Sequence, residues 1–485
     1  MKRILALLLV VISVPALAQM SGQIGQFDLV PQRIYANPAF QPKAKLNIAF
    51  PALGNVYVQH GNNWIQPRSF VEGGNSALSP ESILSVIGDN ATTTQAAGIE
   101  LMHIGFRFGK NYIHIRAAER FQSRVNIPAD IFRLALYGNV GDYQFENNTA
   151  NFTDLSIDAM HFREYAIGFN RQFSKKITAG FTVKYLYGME VVQTESSSLR
   201  LRTDPNTYEL TSLGQLGVNT AGINSLVSSD EDFDVEEYLI GRNNTGFSFD
   251  FGATYEPIQN LQLQISAHDI GFIQWEDDVV NYQTDDASFA FNGIDMTDFL
   301  FQEDLDFGDE FQNEADSLLQ ELEDTYNFTE TNQSFKTSLN GFMRYGASYS
   351  VLAKSDFRGV GWANVTHGIG ESLVQFQAAL GYNQTLWNSI QLGVHATKTD
   401  DLPLTFGGGV SVNSGFFQIY AMAENFAVFS PISEVAIMDE DNPSSNSTIF
   451  LPSDPMDLRI HVGVNFTFIR NFQAPEGQGR AMIGK

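Results

Sequence analysis

The 485-residue chain contains no cysteine, which excludes disulfide bonds and thiolate metal sites. No apolar run approaches the roughly 18 residues that a transmembrane helix requires. Charged residues make up only 17% of the chain, below the roughly 25% that is usual in soluble domains. Basic residues are scarce, because 29 Lys and Arg accompany 55 Asp and Glu, and the net charge is −26. Such an acidic chain is a poor partner for nucleic acid, since phosphate binding needs a basic surface.

The N-terminus has the pattern of a cleaved signal peptide. Lys2 and Arg3 precede a short apolar run, and Pro15-Ala16-Leu17-Ala18 ends in an A-x-A cleavage site. The run is too short to span a bilayer stably. We therefore expect residues 1–18 to be removed during export. Losing two basic residues changes the net charge from −26 to −28.

Period-2 alternation of apolar and polar residues runs through the chain and is clearest at residues 245–268. Phe247, Phe249 and Phe251 alternate with small and polar residues, and the rhythm resumes after the break at 257–260. Such alternation predicts strands with one apolar and one polar face. A soluble sandwich would bury the apolar face, whereas a membrane barrel would turn it to lipid. Few charges and 12% aromatic residues favour the barrel.

The alternation predicts an all-β, antiparallel transmembrane barrel of about 14 strands, an even number as in bacterial outer-membrane barrels. Its domain limits would be an N-terminal periplasmic or plug segment at 19–43, the barrel at 44–469 and a periplasmic tail at 470–485. The predicted strands are 44–60, 99–109, 112–126, 160–173, 177–202, 244–256, 261–275, 336–353, 357–366, 372–384, 388–398, 402–413, 415–426 and 456–469.

The connections between these strands alternate in length, as outer-membrane barrels require. If the N-terminus is periplasmic, every periplasmic connection is short and all the long ones are extracellular. The long loops also carry most of the acidic clusters, including the stretch from 295 to 326. Helix punctuation predicts short helices within these loops at 80–88 and 128–138, and helical spacing predicts another at 311–326. We therefore expect bacterial outer-membrane localisation, with lipid as the surrounding partner.

Catalytic and metal-binding patterns are weak. The acidic run beginning at Asp230 resembles the start of an EF-hand loop, but Val235 and Gly241 occupy the positions of its glycine and last ligand. The acidic outer loops could still hold Ca²⁺ or Mg²⁺ loosely, and no cofactor is expected. The eight histidines lack ligand spacing, and no Gly-x-Ser-x-Gly elbow occurs. We expect no enzyme, with a membrane hydrolase as a distant alternative.

Polar-face positions supply the candidates for lining the lumen. Opposed charges and amides could simply pair and stiffen the barrel, and this structural role is favoured over a ligand site. A lumen of about 14 strands is wider than side chains alone fill, so a plug is expected. The segment before the first strand could enter as ordered, non-helical chain, with Asn37, Pro38 and Phe40 as plug candidates. The lumen candidates are Arg107, His114, Arg116, Lys184, Asp250, Gln264, His268, Arg344, Gln375, Gln377, His395, Arg459 and His461.

Two short motifs carry a resemblance to a known group of proteins. Phe27-Asp28 and Tyr35-Ala36-Asn37-Pro38-Ala39-Phe40-Gln41-Pro42 lead into the first strand, and Phe450-Leu451-Pro452 precedes the last. The chain resembles an uncharacterised Bacteroidota outer-membrane family of unknown function, related to FadL-like and PorV/PorP-like barrels. The resemblance implies a 14-stranded barrel that either moves hydrophobic molecules or serves type IX secretion or gliding machinery.

Two main functional hypotheses follow. The first is a passive FadL-like channel for small hydrophobic molecules, gated by the N-terminal segment. The second is a non-transporting scaffold whose long loops or periplasmic face bind a secretion or motility protein. The acidic, amphipathic stretch 295–326 suggests this hypothesis.

Overall fold

The chain forms a closed antiparallel barrel with 14 strand positions in its wall. The computed structural model describes residues 22–64, 84, 87–139, 145–223, 243–291, 325–326, 329–353, 357–370, 373, 375–400, 404–424, 433–437, 447–451 and 457–468. The predicted barrel of about 14 strands is confirmed. The predicted signal peptide 1–18 and tail 470–485 lie outside the described residues.

The strands run in chain order around the wall, and the last strand closes the ring. β1 and β2 share the first position, β16 and β17 share another, and β25 pairs with both β1 and β2. The wall strands are β1 (Leu46–Ala49), β2 (Val56–Asn62), β3 (Asn90–Phe108), β4 (Asn111–Pro128), β6 (Ser156–Gln172), β7 (Ile177–Ser197), β11 (Thr245–Tyr255), β12 (Leu261–Trp275), β16 (Phe335–Ser338), β17 (Phe342–Ala353), β18 (Phe357–Gly368), β19 (Phe376–Leu386), β20 (Ile390–Thr399), β21 (Thr405–Asn413), β22 (Phe417–Ala423) and β25 (Asp457–Phe468).

Further strands lie in the long connections, at what we call the long-loop end; the opposite end is the short-turn end. β10 pairs with residues 191–197 of β7 and with β13, and β13 in turn pairs with β15. These additional strands are β5 (Thr149–Asn151), β8 (Arg200–Thr203), β9 (Leu210–Gly214), β10 (Leu216–Ala221), β13 (Val279–Gln283), β14 (Ala287–Phe291), β15 (Thr329–Thr331), β23 (Ser433–Ile437) and β24 (Ser447–Leu451).

Short helices occur in the first long loops and at the N-terminus. α1 (Ala129–Tyr137) confirms the helix predicted at 128–138. The helices predicted at 80–88 and 311–326 lie largely outside the described residues. The N-terminal segment departs from the expected non-helical chain, because it forms 3₁₀ helices at Ile24–Gln26 and Pro31–Tyr35. Pro31 fixes φ at the first helical position, where its missing N–H costs nothing.

Within the described part of the chain, no helix has the length and apolar character needed to cross a membrane.

The two faces of the wall have opposite chemistry. Large apolar side chains point outward and are exposed, among them Ile167 at 51%, Phe247 at 51% and Phe251 at 53%, whereas the inward positions are mostly polar and buried. On β7 the outward apolar positions that are not buried run from Ile177 to Tyr185. At the usual rise and tilt of barrel strands this belt is about 20 Å tall, close to the apolar band of roughly 25 Å in outer-membrane barrels. The alternation at 245–268 therefore places its phenylalanines outside.

The first wall strand differs from the single strand predicted at 44–60. Residues 50–55 leave the ladder between β1 and β2, although both pieces pair with the same two neighbours. Pro51 cannot donate a ladder hydrogen bond, and Ala52 has a positive φ of 59°. Phe50 and Leu53 are 41% and 49% exposed, so the bulge places apolar side chains on the outer surface.

The long-loop end shows the other errors of prediction. β3 begins at Asn90 instead of 99, because the polar stretch 92–95 pairs with β4 without an alternating pattern. The strand predicted at 177–202 ends at Ser197, and the predicted loops 203–243 and 276–335 contain β9, β10 and β13–β15. The strand predicted at 336–353 is interrupted at 339–341. Backbone pairing between loops gives these segments strand structure that their own sequences do not show.

Candidate functional site: the barrel lumen

Residues 22–43, hereafter the N-terminal segment, lie inside the barrel on its short-turn side. Asp28 forms ion pairs with Lys43 and, at 2.9 Å, with Arg358, and it accepts a hydrogen bond from Gln391 Nε2 at 2.9 Å. The guanidinium of Arg107 donates to the Pro42 carbonyl. The segment is thereby tied to several separate strands of the wall.

The plug candidates Asn37, Pro38 and Phe40 are buried in this segment. Asn37 Nδ2 donates to the Ile265 carbonyl at 3.2 Å, and the Pro38 carbonyl accepts from Asn170 Nδ2 at 2.9 Å. Glycine permits this close approach, because a Cβ at Gly180 would overlap the Pro38 carbonyl oxygen. The Arg33 guanidinium lies over the Phe40 ring, 4.5 Å from its centroid. The segment therefore fits the wall by shape as well as by hydrogen bonds.

Tyr35 is the point at which the segment reaches deepest into the polar interior. Its hydroxyl donates to Glu100 and lies 2.5 Å from His103 Nδ1, and the Arg116 guanidinium lies 4.2 Å from its ring centroid. Burial raises the pKa of Tyr35 well above its usual value, so the phenol keeps its proton. Gln32 adds hydrogen bonds to Glu100 at 3.0 Å and Asn465 at 2.7 Å.

Next to Tyr35, charged side chains form a compact network across the lumen, hereafter the charge layer. Glu164 accepts from Arg116 and Arg120, each at 2.8 Å. The charge layer consists of Arg116, Arg120, Lys184, Glu164, Asp250 and Asp269. Within this set three positive charges face three negative ones, as buried charges require, and the buried Glu100 adds a further carboxylate 3.8 Å from Arg116.

Lys184 and Arg120 hold the two aspartates of the charge layer. Lys184 Nζ lies 2.7 Å from Asp250 and 2.6 Å from Asp269, and Arg120 forms a bidentate pair with Asp269 at 3.0 and 2.9 Å. The cavity among these groups is only about 40 Å³, room for one or two water molecules. The charge layer and the N-terminal segment together leave little free space in this part of the lumen.

Ser266, His268 and Asp250 lie in a row that superficially resembles a hydrolytic triad. His268 Nε2 is 2.9 Å from Ser266 Oγ, but its Nδ1 is 3.9 Å from Asp250. Ser266 Oγ donates to the Ala36 carbonyl at 3.3 Å, and the serine and histidine are 3% and 2% exposed. The row therefore secures the N-terminal segment and leaves a substrate no access to the serine.

A larger cavity of about 500 Å³ lies above the charge layer, toward the long-loop end; it is hereafter the upper cavity. One wall is apolar, formed by Met160, Val191 and Leu339 of a buried cluster that also includes Trp275. The other wall is polar. The polar lining includes Gln122, Arg124, Asp158, Gln193 and Asp269. Its volume lies within the range of small-molecule sites.

The structure brings most of the lumen candidates to the inner face, and the largest departure is Gln375. Gln375 is exposed before β19 and donates to the Gly370 carbonyl at 3.2 Å, so it does not line the lumen. The prediction placed it inside a strand starting at 372, whereas β19 starts at Phe376. Arg107 is half-buried. The buried candidates are His114, Arg116, Lys184, Asp250, Gln264, His268, Arg344, Gln377, His395, Arg459 and His461.

Some of the buried candidates form a second polar group on the opposite wall, away from the charge layer. Arg459 donates to Glu424 at 2.8 Å and to Thr399 at 2.9 Å, and Arg344 donates to Thr366 at 3.0 Å. Internal pairing of this kind matches the structural role that the sequence favoured for such residues.

Sequence reasoning missed several members of the lumen site. Arg120 and Gln122 share the strand parity of His114 and Arg116 on β4, and Glu164 lies on the polar face of β6, so alternation alone could have found them. Glu100 and Asp269 have the opposite parity, and each lies beside a register shift of its strand.

The acidic loops that suggested a cation site and a partner-binding surface lie largely outside the described residues. The acidic run beginning at Asp230 and nearly all of 295–326 lie outside the described residues. Among the residues that are described, no cluster of three or more acids or histidines could hold a metal ion. A loosely bound cation and a scaffold function both stay predictions.

Comparison with known proteins identifies the family. Residues 38–424 match the family described as "Family of unknown function (DUF5723)". The chain belongs to this family. The match begins within the N-terminal segment and extends through β22, so it includes the charge layer and most of the wall. No curated protein matches the chain.

Several solved barrels are similar to the chain at low identity. The toluene transporter TodX of Pseudomonas putida has 10% identity and a TM-score of 0.38, covering 90% of this chain and 93% of its own. The toluene transporter TbuX of Ralstonia pickettii has 7% identity and a TM-score of 0.37, with coverage of 91% and 94%. A FadL homologue of Pseudomonas aeruginosa has 9% identity and a TM-score of 0.36, with coverage of 90% and 94%. Similarity at this level does not indicate the function, which has to be argued from the geometry of this chain.

Proposed function

We propose that this protein is an outer-membrane barrel that acts as a passive channel for small hydrophobic molecules. The observation that carries the proposal is the upper cavity, a space of about 500 Å³ inside the lumen with a wall of buried apolar side chains. The interior of a barrel that only spans the membrane can be filled by polar pairs, as the opposite wall of this lumen is. A cavity with an apolar wall instead gives a hydrophobic solute a surface on which to leave water.

The outward belt supports the membrane location. Exposed phenylalanine, isoleucine, leucine and tyrosine side chains continue from strand to strand around the wall. A soluble monomer rarely exposes such a continuous apolar surface, whereas a barrel in lipid requires it. Without a bilayer to cover it, the same belt would make the protein insoluble in water.

The N-terminal segment supports the gating part of the proposal. The segment and the charge layer block the lumen below the upper cavity, so a solute can continue only if the segment moves. Side-chain hydrogen bonds, ion pairs and a buried apolar cluster with Tyr420 and Met422 hold it to the wall, whereas continuous backbone ladders hold the wall strands together. We therefore expect the segment to move while the wall stays folded.

The test uses the full-length protein in vesicles with a lipopolysaccharide outer leaflet, which resists hydrophobic solutes. We expect the uptake of N-phenylnaphthylamine, an uncharged aromatic probe, to rise about tenfold over protein-free vesicles, as an apolar path through the wall would allow. Swelling in arabinose, a small polar solute, should stay at background, because the charge layer leaves no continuous aqueous path. Rapid arabinose swelling, or no rise in probe uptake, would contradict the proposed function.

A further inference from the structure

The polar wall of the upper cavity contains a buried amide donor, Gln122 Nε2. Gln122 is 3% exposed, and its Nε2 finds no hydrogen-bond partner among the described residues. Gln122 lines both the upper cavity and the small cavity of the charge layer, so it lies at their boundary. Burying an amide donor without a partner is unfavourable, and a ligand or a water that accepts a hydrogen bond from it removes that cost.

The apolar wall supplies the other half of a binding site. Met160 and Val191 are 7% and 2% exposed and belong to the same buried cluster as Leu339. Asp158 and Gln193 pair in register, as do Met160 and Val191, and both pairs line the cavity. An occupant would contact an apolar surface along its body while its polar end reaches Gln122.

The charges around the cavity indicate the charge of the occupant. Arg124 lies directly across from Asp158 in the register of β4 and β6. Asp269 at the cavity floor is held by Arg120 and Lys184, whose charges the acids of the charge layer balance. Lys336 lies over the Phe272 ring, 4.9 Å from its centroid, and Phe272 points outward. Among the described residues, the cations that line the cavity, Arg124 and Lys336, each already face another group. A carboxylate entering the cavity would lose its water without gaining a cation of its own, which is costly.

From this arrangement we infer that the upper cavity is a binding site for an uncharged molecule with an apolar body and one hydrogen-bond acceptor, such as a ketone or an ester. Its carbonyl oxygen accepts from Gln122 Nε2, and its chain lies against Met160, Val191 and Leu339. The inference deepens the proposed function, on which it rests, by naming the class of molecule that the lumen selects.

The test compares two small water-soluble probes, 2-heptanone and heptanoate, by calorimetric titration of the full-length protein in lipid nanodiscs at pH 7. We expect 2-heptanone to bind about tenfold more tightly than heptanoate, given the cost of burying an unpaired carboxylate. Gln122→Leu keeps the approximate size and removes the donor, so its affinity for 2-heptanone should fall about fivefold to tenfold. Gln262→Leu, at the short-turn end beside Glu256, is the matched control and should bind as wild type does.

The binding measurements test the proposed ligand class separately from the proposed channel function. Heptanoate binding as tight as that of 2-heptanone would overturn the uncharged class. Equal affinity of Gln122→Leu and wild type for 2-heptanone would overturn the role of Gln122, and so would the absence of binding by wild type. In each case probe uptake by the vesicles would still test the channel independently, because uptake needs no tight binding. Retained heat-modifiable migration of Gln122→Leu in detergent gels would show that the barrel has folded.

Discussion

Replacing Lys184 by methionine should destabilise the barrel by about 3–5 kcal/mol, because removing one partner of a buried ion pair leaves the other charge without compensation. Lys184 is 4% exposed and contacts Asp250 at 2.7 Å and Asp269 at 2.6 Å. Methionine nearly preserves the volume of the side chain, so packing changes little. The free energy of unfolding, measured by urea titration of the protein folded into bilayers, reports the effect.

Two further variants separate charge from shape. Lys184→Met combined with Asp250→Asn removes one charge of each sign, and we expect it to recover a large part of the loss. Arg171→Met at the short-turn end removes an exposed cation that donates a hydrogen bond to Asn111 Oδ1 at 3.3 Å, and it should change stability by less than about 0.5 kcal/mol. If Lys184→Met alone were as stable as wild type, the ion pairs of Lys184 in the charge layer would contribute nothing to the free energy of unfolding.

Replacing Tyr35 by alanine should release the N-terminal segment and leave the wall intact. The variant loses the ring beneath Arg116 and the hydroxyl that bonds Glu100 and His103. Truncating a buried aromatic residue costs about 3–5 kcal/mol, enough to raise the detached fraction of the segment more than about a hundredfold. Uptake of N-phenylnaphthylamine should therefore rise well above that of wild type, and protease should cut the segment faster.

Tyr35→Phe serves as the closest control, since it keeps the ring and should produce a smaller increase in uptake. Tyr208→Ala, at a residue that is 59% exposed in a long connection, should leave uptake unchanged. Unaltered uptake by Tyr35→Ala, with the segment cut faster, would mean that the segment does not limit passage.

Alternation predicted the wall well because every barrel strand needs an apolar outer face and a polar inner face. The rule found His114, Arg116 and Lys184 on the inside, and it would have found Glu164. It fails where a bulge adds a residue to one strand, since parity then reverses. Asp269 illustrates the failure: it has a positive φ of 53° and points inward immediately after the inward His268. No local signal in 264–272 marks this bulge.

The upper cavity was beyond sequence reasoning for a different reason. Its walls come from β4, β6, β7, β12 and the interruption at 339–341, which are far apart in the chain. Alternation places Met160 at an inward position, but Val191 has the outward parity of β7 and faces inward only because of the register shift at 188–190. Only the closed ring shows that both residues line the same space as Gln122. The path of the N-terminal segment likewise depends on glycines such as Gly180, whose role is visible only once Pro38 lies against it.

The most direct measurement joins the N-terminal segment covalently to the wall and follows transport. Asp28 of the segment and Arg358 of the wall form an ion pair at 2.9 Å and are 22% and 27% exposed, and a chain without native cysteine allows Asp28→Cys and Arg358→Cys to be joined by a cleavable bis-maleimide. Our account predicts that uptake of N-phenylnaphthylamine into lipopolysaccharide-containing vesicles falls to the protein-free level when the link is present and returns to the uncrosslinked rate after its cleavage. Equal uptake with the link intact would contradict passage through the lumen.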